Sequence, residues 1–170
     1  MARYCIEEIL SQETMDISDS QMKNKTQLFR FMASMFWEAE KIYDQECFLT
    51  SLFEREDTGS TYMGNGLVVP HGKSETVRTP SIALCRFRPF VYNEDQEDEI
   101  AEIALMLAIP SSTDHDVYLG MLADITRLFL DDEFLEFLKK ETDKTKVLEE
   151  FSKRYQKTSK NTKERMEKSC

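Results

Sequence analysis

No apolar run in this chain approaches 18 residues, so no segment is long enough to cross a bilayer as a helix. The first eight residues, Met1-Ala2-Arg3-Tyr4-Cys5-Ile6-Glu7-Glu8, lack an apolar core and already carry acids, which excludes reading them as a secretory signal. Cysteine is sparse: Cys5, Cys47, Cys85 and Cys170 share no CxxC spacing, and only two histidines accompany them. That leaves no zinc set and no expected metal. Scattered cysteines in an unexported chain read as reduced thiols, so the cytoplasm is the expected compartment. Internal repeats are absent too. At 170 residues and 41% apolar composition, the chain suits a single core.

Charge is not lacking, but it is uneven. Residues 152–170 hold seven basic side chains (Lys153, Arg154, Lys157, Lys160, Lys163, Arg165, Lys168) against Glu164 and Glu167. The other 151 residues therefore keep 15 of the 22 basic and 30 of the 32 acidic groups. A body this acidic repels nucleic acid and speeds encounter with basic partners. Solubility alone would also explain it.

Periodicity outlines the elements. Residues 1–13 carry only Ile6, Ile9 and Leu10 and read as an N-terminal extension. Asp19, Ser20 and Asn24 offer helix caps. Leu28, Phe31, Met32, Met35, Phe36 and Ala39 recur at three and four, predicting a core-facing helix over 27–43. A shorter helix spans 45–55, with Phe48, Leu49, Leu52 and Phe53 inward. Residues 67–69 are apolar and stop at Pro70, and 82–87 alternate up to Pro89; both read as strands. In the second of these, Cys85 is a small buried hydrophobe. Residues 93–99 form an acidic loop without the spacing or the glycine of an EF-hand. Residues 101–109 read as a central strand buried on both faces. Helices are then expected over 117–130, 133–140 and 144–155, followed by a basic, disordered tail at 156–170. This pattern predicts an α/β fold in one domain, a small mixed β-sheet flanked by helices. A Rossmann fold is disfavoured, because Gly64-Asn65-Gly66 opens no helix.

The most informative stretch runs from Arg55 to Lys73. Thr58-Gly59-Ser60-Thr61 and Gly64-Asn65-Gly66 lead into Leu67-Val68-Val69-Pro70-His71-Gly72-Lys73. Proline ends the strand, so His71 is expected at the tip of a rigid strand on an exposed loop. A neutral imidazole is a nucleophile near neutral pH without first losing a proton, which suits phosphoryl relay. Arg55 is a permanent, forked cation suited to phosphoryl oxygens. At the end of a helix it equally complements the dipole. The glycines offer backbone amides to an anion or merely a tight turn, and Lys73 reads as a rim charge.

Over the seventeen residues from Arg55 to His71, the stretch resembles the phosphorylation-site signature of phosphotransferase-system (PTS) enzyme IIA domains of the mannitol/fructose type. A weaker resemblance runs from Thr14 to Phe151 and includes Leu130-Asp131-Asp132-Glu133-Phe134, so 14–155 is expected to be the enzyme IIA-like domain. The resemblance implies that His71 accepts a phosphoryl group from the histidine-containing phosphocarrier protein. It then passes the group to a cysteine of an enzyme IIB domain of a sugar permease. The intermediate is a covalent phosphohistidine, with no cofactor, no nucleic acid and no direct membrane insertion. Arg55 joins His71 as a catalytic residue in this reading; Gly64, Asn65 and Gly66 support the phosphoryl group. Relatives carry a second histidine where this chain places Tyr118, and His115 lies three residues earlier. Either Tyr118 or a shifted His115 takes that place, or Tyr118 simply packs within its helix. The alternative function is a regulatory module of the nitrogen type, in which phosphorylation of His71 controls binding to another protein. A binding domain without phosphorylation is the third option.

Overall fold

In a computed structural model, the backbone is described for residues 4–167 and the side chains for residues 4–158. Ile9–Ser112 forms one compact unit, and Thr113 onward, with the segment up to Glu8, forms another.

The first unit is built on a mixed six-stranded sheet of order β1-β5-β6-β3-β2, with β4 also pairing β6. Its strands are β1 (Leu10–Ser20), β2 (Tyr62–Gly64), β3 (Leu67–Val68), β4 (His71–Ser74), β5 (Ser81–Asn93) and β6 (Gln96–Pro110). Two helices belong to it, α2 (Lys25–Glu38) and α3 (Gln45–Asp57), while a short α1 (Ile6–Ile9) precedes β1. The mixed α/β sheet with helices is the one the sequence pattern predicts.

The differences are local and have causes. Residues 10–13 are not an extension. They enter β1, which pairs parallel to β5 through two register shifts. Polar Ser11, Gln12 and Glu13 hide the strand pattern, while Thr14 is fully buried and donates through Oγ1 to the Ile82 carbonyl (2.8 Å). Residues 93–99 are not a loop either. Asn93 pairs with Gln96 across a two-residue turn, so β5 and β6 form one long antiparallel hairpin whose acids line its exposed tip. Pro89 does not end β5; it falls in the register shift between Arg86 and Phe90, where no ladder donor is required.

β6 is the centre. Ile103–Ile109 are all fully buried, as expected for a strand covered on both faces. One face carries Ala83, Cys85, Phe87, Phe90, Tyr92, Ala101, Ala104, Met106 and Ala108, and packs with α2 and α3. Small residues on these strands let the helix side chains Phe29, Met32, Phe36, Phe48 and Leu52 settle close. Burying such side chains contributes about 1.5–3 kcal/mol each, before ordering costs. Asn24 caps α2 by accepting from the Gln27 amide, and Asp44 caps α3 by accepting from the Cys47 amide.

The second unit holds α4 (His115–Leu128), α5 (Asp132–Lys140) and α6 (Lys144–Glu167). Phe129, Phe134 and Phe151 form its aromatic knot, with ring centroids 5.4–6.2 Å apart. Asp131 caps α5 by accepting from the Glu133 and Phe134 amides, and its carboxylate also pairs with Arg154. The tail expected to be disordered continues α6 as far as Glu167, and residues 168–170 lie outside the described residues.

Candidate functional site

α3 is pressed onto β4. A Cβ on Gly72 would sit 2.4 Å from Ser51 Oγ and 3.1 Å from the Phe48 ring, so glycine lets these side chains lie close against the strand. The consequence is that the last turn of α3 puts Arg55 directly against His71.

His71 is not on an exposed loop. It is the first residue of β4, paired with Leu107, and only 8% exposed. β3 and β4 are two segments of one line along β6: Leu67 pairs with Ile103, Val68 with Ala104 and His71 with Leu107, with no slip between them. Pro70 interrupts the strand without ending it, and its carbonyl accepts from the Leu107 amide (2.9 Å).

Both ring nitrogens of His71 have partners whose roles cannot be exchanged. Nδ1 is 2.9 Å from the Val69 carbonyl, which can only accept. Nε2 lies 2.8 Å from Arg55 Nε, which can only donate. The proton therefore sits on Nδ1, and the lone pair on Nε2. Burial lowers the His71 pKa below its ordinary value; the Val69 hydrogen bond opposes this, and the charge of Arg55 adds to it. The site holds a neutral imidazole with its nucleophilic nitrogen beside a guanidinium. That guanidinium is itself steadied, because Arg55 Nη1 donates to Thr58 Oγ1 (3.1 Å) and to the Gly59 carbonyl (2.9 Å).

Asn65 (φ 52°) and Gly66 (φ 80°) form the turn joining β2 to β3, where left-handed backbone is required. The Gly66 carbonyl accepts from the Glu102 and Ile103 amides. His71 pairs four β6 residues further on, about 13 Å at strand rise. Gly64, Asn65 and Gly66 shape this turn. Tyr118 and His115 both lie in the first turn of α4, their ring centroids 6.4 Å apart. Tyr118 is half-buried and His115 exposed. Lys73 is exposed on β4. Sequence reasoning passed over Val69, Thr58 and Gly59, whose contributions are backbone carbonyls and a hydroxyl that leave no side-chain pattern. Among the described residues, no cluster of three or more His, Cys, Asp or Glu is placed to hold a metal ion, and no helix is long and apolar enough to cross a membrane.

The mannitol-specific EIICBA component of the PTS from Pasteurella multocida is 30% identical over 129 residues, 74% of this chain and only 20% of that much longer protein. The chain thus spans about a fifth of the length of this relative. The nitrogen regulatory protein IIA-Ntr of Neisseria meningitidis shares the fold, with a TM-score of 0.74 at 24% identity, covering 88% of this chain and 98% of that one. The complex of mannitol enzyme IIA with phosphorylated enzyme IIB from Escherichia coli matches with a TM-score of 0.69 at 20% identity, covering 83% and 96%. Residues 8–154 match the model of the phosphoenolpyruvate-dependent sugar phosphotransferase system, EIIA 2, across both compact units. With a neutral histidine set against an arginine at its centre, the chain belongs to this EIIA 2 family of phosphotransferase domains.

Proposed function

We propose that His71 is the phosphoryl carrier, taking the group on Nε2 from the histidine-containing phosphocarrier protein and yielding it to a cysteine thiolate of an enzyme IIB domain. The observation that carries this reading is the pair of fixed contacts on the ring, Nδ1–H to the Val69 carbonyl and Arg55 Nε–H to Nε2. In the first step the Nε2 lone pair forms the new N–P bond as the donor's P–N bond breaks. Nδ1 keeps its proton throughout, so the ring becomes positive, and the Val69 carbonyl stabilises that charge. In the second step sulfur attacks phosphorus and the ring departs as neutral imidazole, a good leaving group. No proton has to move on this side of either transfer. Arg55 is placed to shift its hydrogen bond from the lone pair to a phosphoryl oxygen, compensating negative charge where it develops.

The likeness to IIA-Ntr supports the regulatory alternative equally at the level of fold, and it uses the same ring chemistry. Incubation with phosphoenolpyruvate, enzyme I and the phosphocarrier tests the reading directly. Label is expected on His71, acid-labile and alkali-stable, and chased off by a competent IIB domain. Label that persists in His71→Ala overturns the carrier assignment. Label that forms but no IIB domain removes favours the regulatory role.

A further inference from the structure

Arg55 and Glu56 are neighbours at the end of α3, yet they serve different clusters. Glu56 is buried, only 8% exposed. Its carboxylate accepts from Lys25 Nζ (3.0 Å), from the Thr61 amide (3.2 Å) and from Thr61 Oγ1 (2.6 Å). Since Thr61 gives its hydroxyl proton to Glu56, the Tyr92 hydroxyl donates to Thr61 Oγ1 (2.9 Å). Lys25 also lies over the Tyr92 ring, 4.3 Å from its centroid, and bonds Asn93 Oδ1. A buried carboxylate is costly unless neutralised and hydrogen-bonded, and here both conditions are met.

The cluster leads back to the histidine. The Thr61 carbonyl accepts from the Val69 amide (3.0 Å), and the Val69 carbonyl accepts from His71 Nδ1–H (2.9 Å). Val69 lies at the break between β3 and β4. The carbonyls of Gly66 and Pro70 turn toward β6, whereas Val69 bonds Thr61 through its amide and the His71 ring through its carbonyl. Thr61 therefore ties down the peptide that sets the ring, and Glu56 ties down Thr61.

We propose that Glu56, acting through Thr61 and Val69, is a positioning residue that holds the His71 imidazole in its Nδ1–H form, with the lone pair of Nε2 turned to Arg55. The effect on transfer rests on the carrier reading above; the state of the ring does not. The negative charge of Glu56 also favours a positive His71 ring, the state that N-phosphorylation creates.

The test uses the full chain labelled with 15N-histidine, in which His115→Ala removes the only other histidine signal. The variants are Glu56→Gln, Thr61→Val and Thr61→Ser. In the unmodified protein, Nδ1 is expected to be protonated and Nε2 bare. Thr61→Val and Glu56→Gln should mix the two tautomers and slow phosphoryl uptake on the order of ten-fold, at unchanged KM for the phosphocarrier. Thr61→Ser keeps the hydroxyl and should restore both readouts. A fall in melting temperature with unaltered ring-nitrogen shifts and unaltered rate per folded molecule would overturn the proposal. If the unmodified protein takes up no phosphoryl group, the carrier reading fails, while the ring-nitrogen spectra still decide the positioning claim.

Discussion

The chain has two histidines, and they show what makes an imidazole a reagent. His115 opens α4 in the open, one turn from Tyr118. His71 opens β4 under cover, with a carbonyl on one ring nitrogen and a guanidinium on the other. The side chain is identical; what differs is the number of its choices. Burial disfavours the charged ring, the Val69 carbonyl selects one tautomer, and Arg55 sets a charged donor against Nε2.

The most severe way to break this comparison is to replace each ring in turn. His71→Asn should abolish phosphoryl uptake altogether, whereas His115→Ala should leave it unchanged, both read by label incorporation. Next is Arg55→Gln, which keeps α3 and His71 but removes the charged donor. Transfer should slow on the order of 10²-fold, as for other preorganised transition-state donors, with little loss of melting temperature. Tyr118 sharpens the contrast from the other side, because the family resemblance puts it in the place of a second histidine. Tyr118→Phe is expected to slow transfer roughly ten-fold, about 1.4 kcal/mol. If His115→Ala slows transfer and Tyr118→Phe is silent, His115 is the residue in that place.

Gly72→Ala makes His71 more like His115 without touching either ring. The added methyl meets Ser51 Oγ and the Phe48 ring, so these side chains must give way where α3 packs on β4, one turn from Arg55. A cost of about 1–3 kcal/mol in denaturant unfolding is expected, with a slower transfer rate. The smallest effect is a pH slope. The unfolded chain protonates His71 as pH falls through 6.5, but the folded protein does so only at lower pH. In that window the unfolded state binds more protons, so folding stability is lost as pH falls below 6.5. His71→Asn should flatten this part of the stability curve. Transfer should likewise persist to lower pH than a free imidazole allows.

Some of this was legible in the residues and some was not. The apolar stripe of α2 and the dense run of β6 announced themselves, because burial of one face or of both imposes a period that composition cannot hide. β1 stayed invisible. Its polar start and two register shifts leave no alternation to read, and only the partner strand β5 makes it a strand. The acidic hairpin tip read as a loop for a related reason, since its residues pair with each other while facing water.

At the site, the order Arg55 to His71 was sufficient to raise the family and its chemistry, because the spacing of glycines, proline and histidine is local information. It could not show that His71 is buried, that its ring is held between Val69 and Arg55, or that Gly72 lies close under α3. Nor could it find Val69, whose carbonyl acts regardless of its side chain, or the route from Glu56 through Thr61 to that carbonyl. Sequence determines which groups are present and the local turns they prefer. The hydrogen bond from Arg55 to His71 arises only when α3 is laid on β4, because the two residues lie sixteen apart in the chain and are set within about 3 Å of one another.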